Sequence, residues 1–291
     1  MAEFTNYTKK GFDNRIVRYN EIHKITNEQY KALITAIDPQ SGDVIFEGCA
    51  GYADVSKHII EATKDYSIKP EIYIQDESLV QIKRAQDGLF ISEDHILLGD
   101  IRKTGMPDNT FDKTVIKMGV HELPKEEQQK VFNEMYRILK KNGKFIIWEL
   151  SLGDKTQLVF QDIVRKKDEL AGFDALVKNR YFQKHEELKA LFNNAGFKNI
   201  KDEYYIRYTF NPKGRFAELI SKDKLKILDQ KKILTQEDEN ELKERAGERT
   251  NQLIEYIRQR IPKDLRDVFE YKDLGDDIEI CVNKVIMSGI K

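Results

Sequence analysis

The sequence predicts a doubly wound α/β fold: a mostly parallel, seven-stranded sheet covered by helices on both faces. Two observations carry this. Short apolar runs ("DVIFEG", "EIYIQD", "HILLGD", "FDKTVIKMG", "GKFIIWEL") alternate with amphipathic stretches ("VSKHIIEATK", "SLVQIKRAQDG", "KEEQQKVFNEMYRILKK"). Strands joined through helices run parallel, because a parallel pair needs a long crossover. The second observation is the change after Leu150. A helical stretch, Gln157 to Leu176, leads into "YFQKHEELKALFNNAGF" and then two further strand candidates, "KNIKDEYYIRYTF" and "DIEICVNKVIMSGI".

The elements follow in order. Thr26 and Gln29 stand at capping-box spacing, and Tyr30, Leu33, Ile34 and Ile37 then recur at helical spacing as far as "DPQSGD". In the third helical stretch Val131, Phe132, Met135, Ile138 and Leu139 form one apolar face. Gly196 is placed to cap the helix that precedes "KNIKDEYYIRYTF". Residues 211–274, between the last two strands, are highly charged and helical in pattern. Leu242, Ala246, Leu253, Ile254, Ile257 and Ile261 make a stripe there, which Pro262 ends. The expected division is therefore an N-terminal helical segment (1–40), an α/β core (41–210 with 275–291) and a helical insertion (211–274).

The totals restrict function. A formal net charge of −1, from 49 basic and 50 acidic residues, gives no overall attraction to nucleic acid. Two distant cysteines, Cys49 and Cys281, suit a reducing cytoplasm and argue against a disulfide framework. The start lacks an apolar core of the signal-peptide kind. No run approaches the ~18 uninterrupted apolar residues of a membrane span. No cluster has metal-ligand spacing.

Chemistry concentrates at the strand ends. In an open parallel sheet, ligands sit beyond the carboxyl ends of the strands. The first strand ends in an acid, Glu47, followed by small residues, Gly48, Cys49, Ala50, Gly51 and Ala53, which let a ligand approach the backbone. The hydride-transfer fingerprint G-x-G-x-x-G is absent. An acid beside the turn disfavours a pyrophosphate but favours a cationic amino-acid head group. The second strand ends at Asp76, which can accept hydrogen bonds from ribose hydroxyls. The third ends at Asp100 and Ile101, suited to an adenine amine and ring. Each acid alone could equally be a helix cap; three at consecutive strand ends form a constellation.

Residues 43–150 resemble the class I S-adenosylmethionine-dependent methyltransferases. "VIFEGCAGYADVS" is similar to their glycine-rich first motif, "YIQDES" to the acidic second and "LLGDIRKTGMPDNTFD" to the third; "VFNEMYRILKKNGKFIIWE" resembles the helix, turn and fifth strand that follow. Cys49 and Ala53 depart from the pattern, standing where glycine is usual, and Asn142-Gly143-Lys144 replaces Pro-Gly-Gly. The resemblance implies a Rossmann-like methyltransferase fold with an antiparallel final strand, and S-adenosylmethionine as cofactor. It places the loop Glu47 to Ala53 against the methionine part, Asp76 at the ribose, Asp100 and Ile101 at the adenine, and Met118 and Gly119 along the site, with Glu77 also among the cofactor-binding residues. It also implies that the aromatic N-terminus is a lid, with Tyr7, Phe12, Tyr19 and His23 as candidate substrate contacts; they could equally pack the first helix on the sheet.

"MGVHELP" stands where an acceptor would bind. His121 there is the candidate general base and substrate contact, unless it caps or packs the loop. Glu122 and Glu149 are weaker candidates, and Cys49 reads as packing. "KMGVHELP" is not the (Asn/Asp)-Pro-Pro-aromatic stretch of base-amine methylation. The expectation is thus a cytoplasmic enzyme that methylates a small-molecule acceptor, without nucleic-acid or membrane partners and compatible with a homodimer. A macromolecular acceptor (RNA or protein) and a non-catalytic scaffold are the alternatives.

Overall fold

The computed structural model describes residues 23–86, 91–231 and 233–291. Thr26 caps the first described helix, α1 (Asn27–Ile37), as its spacing predicts: its hydroxyl accepts from Gln29 N–H while the Gln29 side chain accepts from Thr26 N–H. The parallel strands are β1 (Val44–Gly48), β2 (Glu71–Asp76), β3 (Ile96–Leu98), β4 (Phe111–Lys117) and β5 (Leu139–Leu150). Between them lie α2 (Asp54–Ala62), α3 (Leu79–Gln86) and α4 (Lys125–Ile138). α5 (Asp154–Leu170), α6 (Asp174–Asn179) and α7 (His185–Ala195) follow, then β6 (Lys198–Phe210).

The single helix expected over 157–176 is two. Gly172, at φ +74°, turns the chain between α5 and α6. Gly196, at φ +101°, ends α7 in the expected left-handed cap. Residues after β6 form α8 (Phe216–Leu219), α9 (Ser221–Lys231) and α10 (Gln236–Arg260), a two-residue strand β7 (Lys272–Asp273), and the final strand β8 (Ile278–Ile290). β7, which sequence pattern did not announce, pairs with β8 beside the main sheet.

The sheet order is β3-β2-β1-β4-β5-β8-β6, parallel except that β8 runs antiparallel to both neighbours. The order reverses between β1 and β4, which opens a crevice at the carboxyl edge. Successive residues of each central strand feed opposite cores. Ile45, Val115, Ile146, Trp148 and Ile286 join one; Phe46, Ile116, Phe145, Ile147 and Val285 join the other. The apolar face read in α4 is buried in the second core.

α10 packs on the first core, beside α5. Its stripe (Leu242, Ala246, Leu253, Ile254, Ile257) and Ile261 are all buried. That apolar face is therefore consumed within the chain and is not presented to a partner. Leu253→Ala should cost about 2–5 kcal/mol in urea unfolding. A loss below about 0.5 kcal/mol, as for a surface position, would contradict this packing.

Candidate functional site

The carboxyl edge of β1, β2, β3 and β4 encloses a cleft with about 1130 Å³ of empty space, its open mouth included. Glu47, Cys49, Ala50, Gly51, Asp76, Glu77, Asp100, Ile101, Met118 and Gly119 all line it. The sequence singled out these residues from four separate strand ends, and the topology brings them together. Gly48 lies behind the wall, where a Cβ would stand 2.3 Å from Ile101 Cδ1. His23 also lines the cleft; Tyr7, Phe12 and Tyr19 lie outside the described residues.

The loop after β1 is bare by construction. Gly51 has φ +55°, and a Cβ on it would meet no atom within 4 Å, because it would project into the cleft. Cys49 (φ 52°) and Ala53 (φ 53°) are also left-handed. These are the two positions at which the sequence departs from glycine, so small size alone does not make the replacements free. Each costs about 1–2 kcal/mol of backbone strain. Gly119 answers Cys49: a Cβ there would come within 2.5 Å of the cysteine Cβ.

Asp76 is fixed rather than mobile. Its Oδ2 accepts from Gly51 N–H at 2.8 Å and its Oδ1 from Ser78 N–H at 2.9 Å, tying the β1 loop to the end of β2. Asp100 is held differently. Arg102 donates to both its oxygens and also reaches Glu127 at 2.7 Å, linking the third strand end to α4. Gln75, which lines the cleft, gives its Nε2 proton to Thr104 O, while its buried Oε1 has no hydrogen-bond partner among the described residues. A buried acceptor without a donor is costly. A ligand amine or hydroxyl would satisfy it.

Glu47 is buried, and its Oε2 accepts from both Ser56 N–H and Ser56 Oγ–H. Desolvation dominates over those bonds and over Lys117, raising its pKa to about 7. Burial and nearby carboxylates, Asp76 first, push the Cys49 thiol well up, which disfavours the thiolate that a nucleophile needs. Among the described residues no group of His, Cys, Asp and Glu could hold a metal ion.

The bare loop, a fixed acid at the second strand end, apolar Ile101 and Met118 and the orphan acceptor of Gln75 suit a nucleoside with a cationic amino-acid tail. They therefore fit S-adenosylmethionine.

A second, smaller cavity adjoins the cleft. The two share His23, Met118, Glu122 and Glu218 in their walls. Phe160, Phe182, Tyr208 and Phe210 line it, together with the buried cations Lys167, Arg180, Arg215 and Lys284. Of its lining, sequence reading named His23, Met118, His121 and Glu122 but none of Phe160, Phe182, Tyr208, Phe210, Lys167, Arg180, Arg215 and Lys284. The available signal was a lysine, Lys284, inside the apolar run "ICVNKVIM".

His121 lines this second cavity and not the cleft. Its Nδ1 lies 2.7 Å from Glu149 Oε2 and its Nε2 3.2 Å from Glu122 Oε1. Burial opposes the charged ring, but the two carboxylates outweigh it and raise the pKa to about 9. An imidazolium held at both nitrogens is a fixed cation, ill suited to the proton-accepting role expected of it. Arg180 continues the chain, bonding Glu122 at 2.6 Å and also Asp168.

Two outcomes follow from these groups. A cationic ligand beside Glu47 lowers its pKa, so cofactor binding near pH 6 should release a proton. Calorimetry in two buffers of different ionisation enthalpy should give different apparent heats, and Glu47→Gln should remove the difference. Equal heats for the unaltered protein would rule this out. His121 has a raised pKa, so its stabilisation is complete below its ordinary value of 6.5 and is lost as pH rises through about 9. Denaturant midpoints should fall across that window, and His121→Gln should flatten the fall.

A family model described as a methyltransferase domain matches residues 57–147. An uncharacterized methyltransferase of Anoxybacillus flavithermus is 21% identical over 75% of this chain and 94% of its own length. A demethylmenaquinone methyltransferase of Oceanobacillus iheyensis is 23% identical over 67% and 88%. Among solved structures, the YcgJ protein of Bacillus subtilis superposes with a TM-score of 0.65 at 14% identity, covering 91% of this chain and 99% of that one. A phosphoethanolamine N-methyltransferase of Haemonchus contortus, solved with S-adenosylhomocysteine, gives 0.52 at 16% identity over 99% and 59%. At these identities the structural likenesses establish the fold alone. The matched domain and the named methyltransferase relatives, beside that fold, support a class I S-adenosylmethionine-dependent methyltransferase with S-adenosylmethionine as its cofactor.

Proposed function

We propose that this enzyme, working in the cytoplasm, methylates a small-molecule acceptor enclosed in the second cavity. The observation that carries this is the junction: the cleft and the second cavity meet at Met118, with Glu122 and Glu218 beside it. S-adenosylmethionine, when bound, supplies a methyl group already activated on a sulfonium. The chain's own residues then have only to hold two molecules in register and keep water away. In this reading Asp76 accepts from the ribose hydroxyls, Gln75, Asp100 and Ile101 surround the adenine, and the loop Glu47 to Gly51 borders the methionine tail.

The small size of this aromatic-walled cavity supports a small acceptor over RNA or protein, and the chain's near-zero net charge agrees. The small-molecule chemistry in the names of the quinone-methylating relatives points the same way. The burial of the α10 stripe removes the feature on which a scaffold reading would rest.

Asp76→Ala should weaken S-adenosylmethionine binding by about 1–3 kcal/mol in calorimetry. Unchanged affinity would take Asp76 out of the ribose site. With methyl-tritiated S-adenosylmethionine, label should pass into the low-molecular-weight filtrate of a cell extract. Label confined to the RNA or protein fraction would overturn the small-molecule reading.

A further inference from the structure

The acid at the third strand end is already engaged. Asp100 stands where resemblance puts the adenine amine, yet Arg102 surrounds its carboxylate. The Arg102 backbone N–H donates to Oδ1 at 2.8 Å, its Nε to Oδ1 at 2.9 Å and to Oδ2 at 3.0 Å, and its Nη2 to Oδ2 at 2.5 Å. A carboxylate offers about four lone-pair sites, and these contacts take up that capacity. Arg102 is itself held by Glu127 at 2.7 Å. A ligand amine could reach Asp100 only by displacing part of a pair in which both partners are charged.

Gln75 presents the opposite case. It is the penultimate residue of β2, only 3% exposed, and it lines the same cleft. Its Nε2 donates to Thr104 O at 3.1 Å. That bond tells the two ends of the amide apart, since a carbonyl oxygen in place of Nε2 would set acceptor against acceptor. The other end, Oε1, is buried and has no hydrogen-bond partner among the described residues.

The amide lies beside the third strand end. Gly99 directly precedes Asp100 and also lines the cleft; a Cβ on it would stand 2.4 Å from Gln75 Nε2 and 3.2 Å from its Cδ. Bare backbone at residue 99 therefore leaves the amide its place. Gly99 N–H in turn donates to Asp76 O at 3.0 Å, which fixes this strand end against β2. One strand end thus holds a saturated acid and an unsatisfied neutral acceptor, and the unsatisfied one gains more from an arriving N–H.

We propose that Gln75, rather than Asp100, accepts the hydrogen bond from the adenine amino group of the cofactor and makes the cleft selective for a 6-amino purine. This rests on the reading of the cleft as the S-adenosylmethionine site. Asp100 is then a positioning residue, joining the third strand end to α4 through Arg102 and Glu127. A purine without the amine would leave Oε1 buried and unpaired, and sites built around such a bond reject analogues that lack it.

The test is calorimetric titration of the full chain with S-adenosylhomocysteine and with its analogue in which hydrogen replaces the adenine amine. The unaltered protein should bind the amino form about tenfold tighter or more. Gln75→Met, which keeps the length of the side chain and removes the acceptor, should shrink that preference to about twofold or less. Its binding of the analogue should match that of the unaltered protein, which shows the cleft intact; Gln75→Leu takes its place if the methionine variant does not fold. Asp100→Asn should keep the preference, whatever happens to absolute affinity. Equal binding of the two ligands by the unaltered protein, an undiminished preference in Gln75→Met, or its loss in Asp100→Asn would each overturn the proposal. Failure of the unaltered protein to bind either ligand would instead remove the cofactor reading on which it stands.

Discussion

One buried chain of charges ties the sheet to the elements added after it. It starts at Glu149, at the end of β5, and passes through His121 and Glu122 in the turn after β4 to Arg180 beyond α6. It then crosses Asp168 and Lys167 on α5 to Glu218 on α8, next to Arg215. Every one of these side chains is buried. Taking such groups out of water is expensive, and each is tolerable only because its neighbours are in place. The chain therefore works as a register device. The turn after β4, the α5–α6 corner and the helices after β6 must all arrive together for any of these charges to be paired. The second cavity is the space they enclose, so its shape follows from this ionic framework as much as from the apolar walls.

The cleft beside it obeys a different logic. There the backbone does most of the arranging. Gly51 N–H positions Asp76, Ala50 N–H bonds Gln75 O, and the bare loop leaves room that no side chain occupies. Acids line this space without forming a metal site among the described residues, and Arg102 pairs with Asp100. A cationic, phosphate-free nucleoside suits such a surface; a pyrophosphate would meet carboxylates where it needs donors. The two compartments thus differ in kind, one walled by backbone and acids, the other by aromatic rings and buried cations.

Legibility from sequence followed the range of the interactions involved. Local rules held. The Thr26–Gln29 capping box and the Gly196 cap rest on contacts within a few residues, and the apolar face of α4 and the strand Lys198–Phe210 are announced by local residue pattern. The cofactor cleft was also readable, because open parallel sheets always gather their strand ends, and an acid or a small residue at each end is visible one strand at a time. The second cavity was not. Phe160, Arg180, Tyr208, Arg215 and Lys284 share no spacing and meet only once β8 inserts between β5 and β6. His121 was found, with capping or packing of its loop kept as the alternative, but its partner Glu149, twenty-eight residues away on the next strand, was not legible from local spacing. The break between α5 and α6 was missed because periodicity continues through Gly172 while the backbone does not.

The left-handed alanine and cysteine of the first loop have a consequence beyond their strain. Glycine would let that segment wander among many shapes before folding and, to a lesser degree, afterwards. An L-residue forbids most of them, so the unfolded chain forfeits less freedom and the folded turn has fewer alternatives to visit. A socket already cut to its final outline yields little entropy when a guest arrives. This protein therefore accepts a permanently tensed hinge of backbone in exchange for a wall that holds its shape.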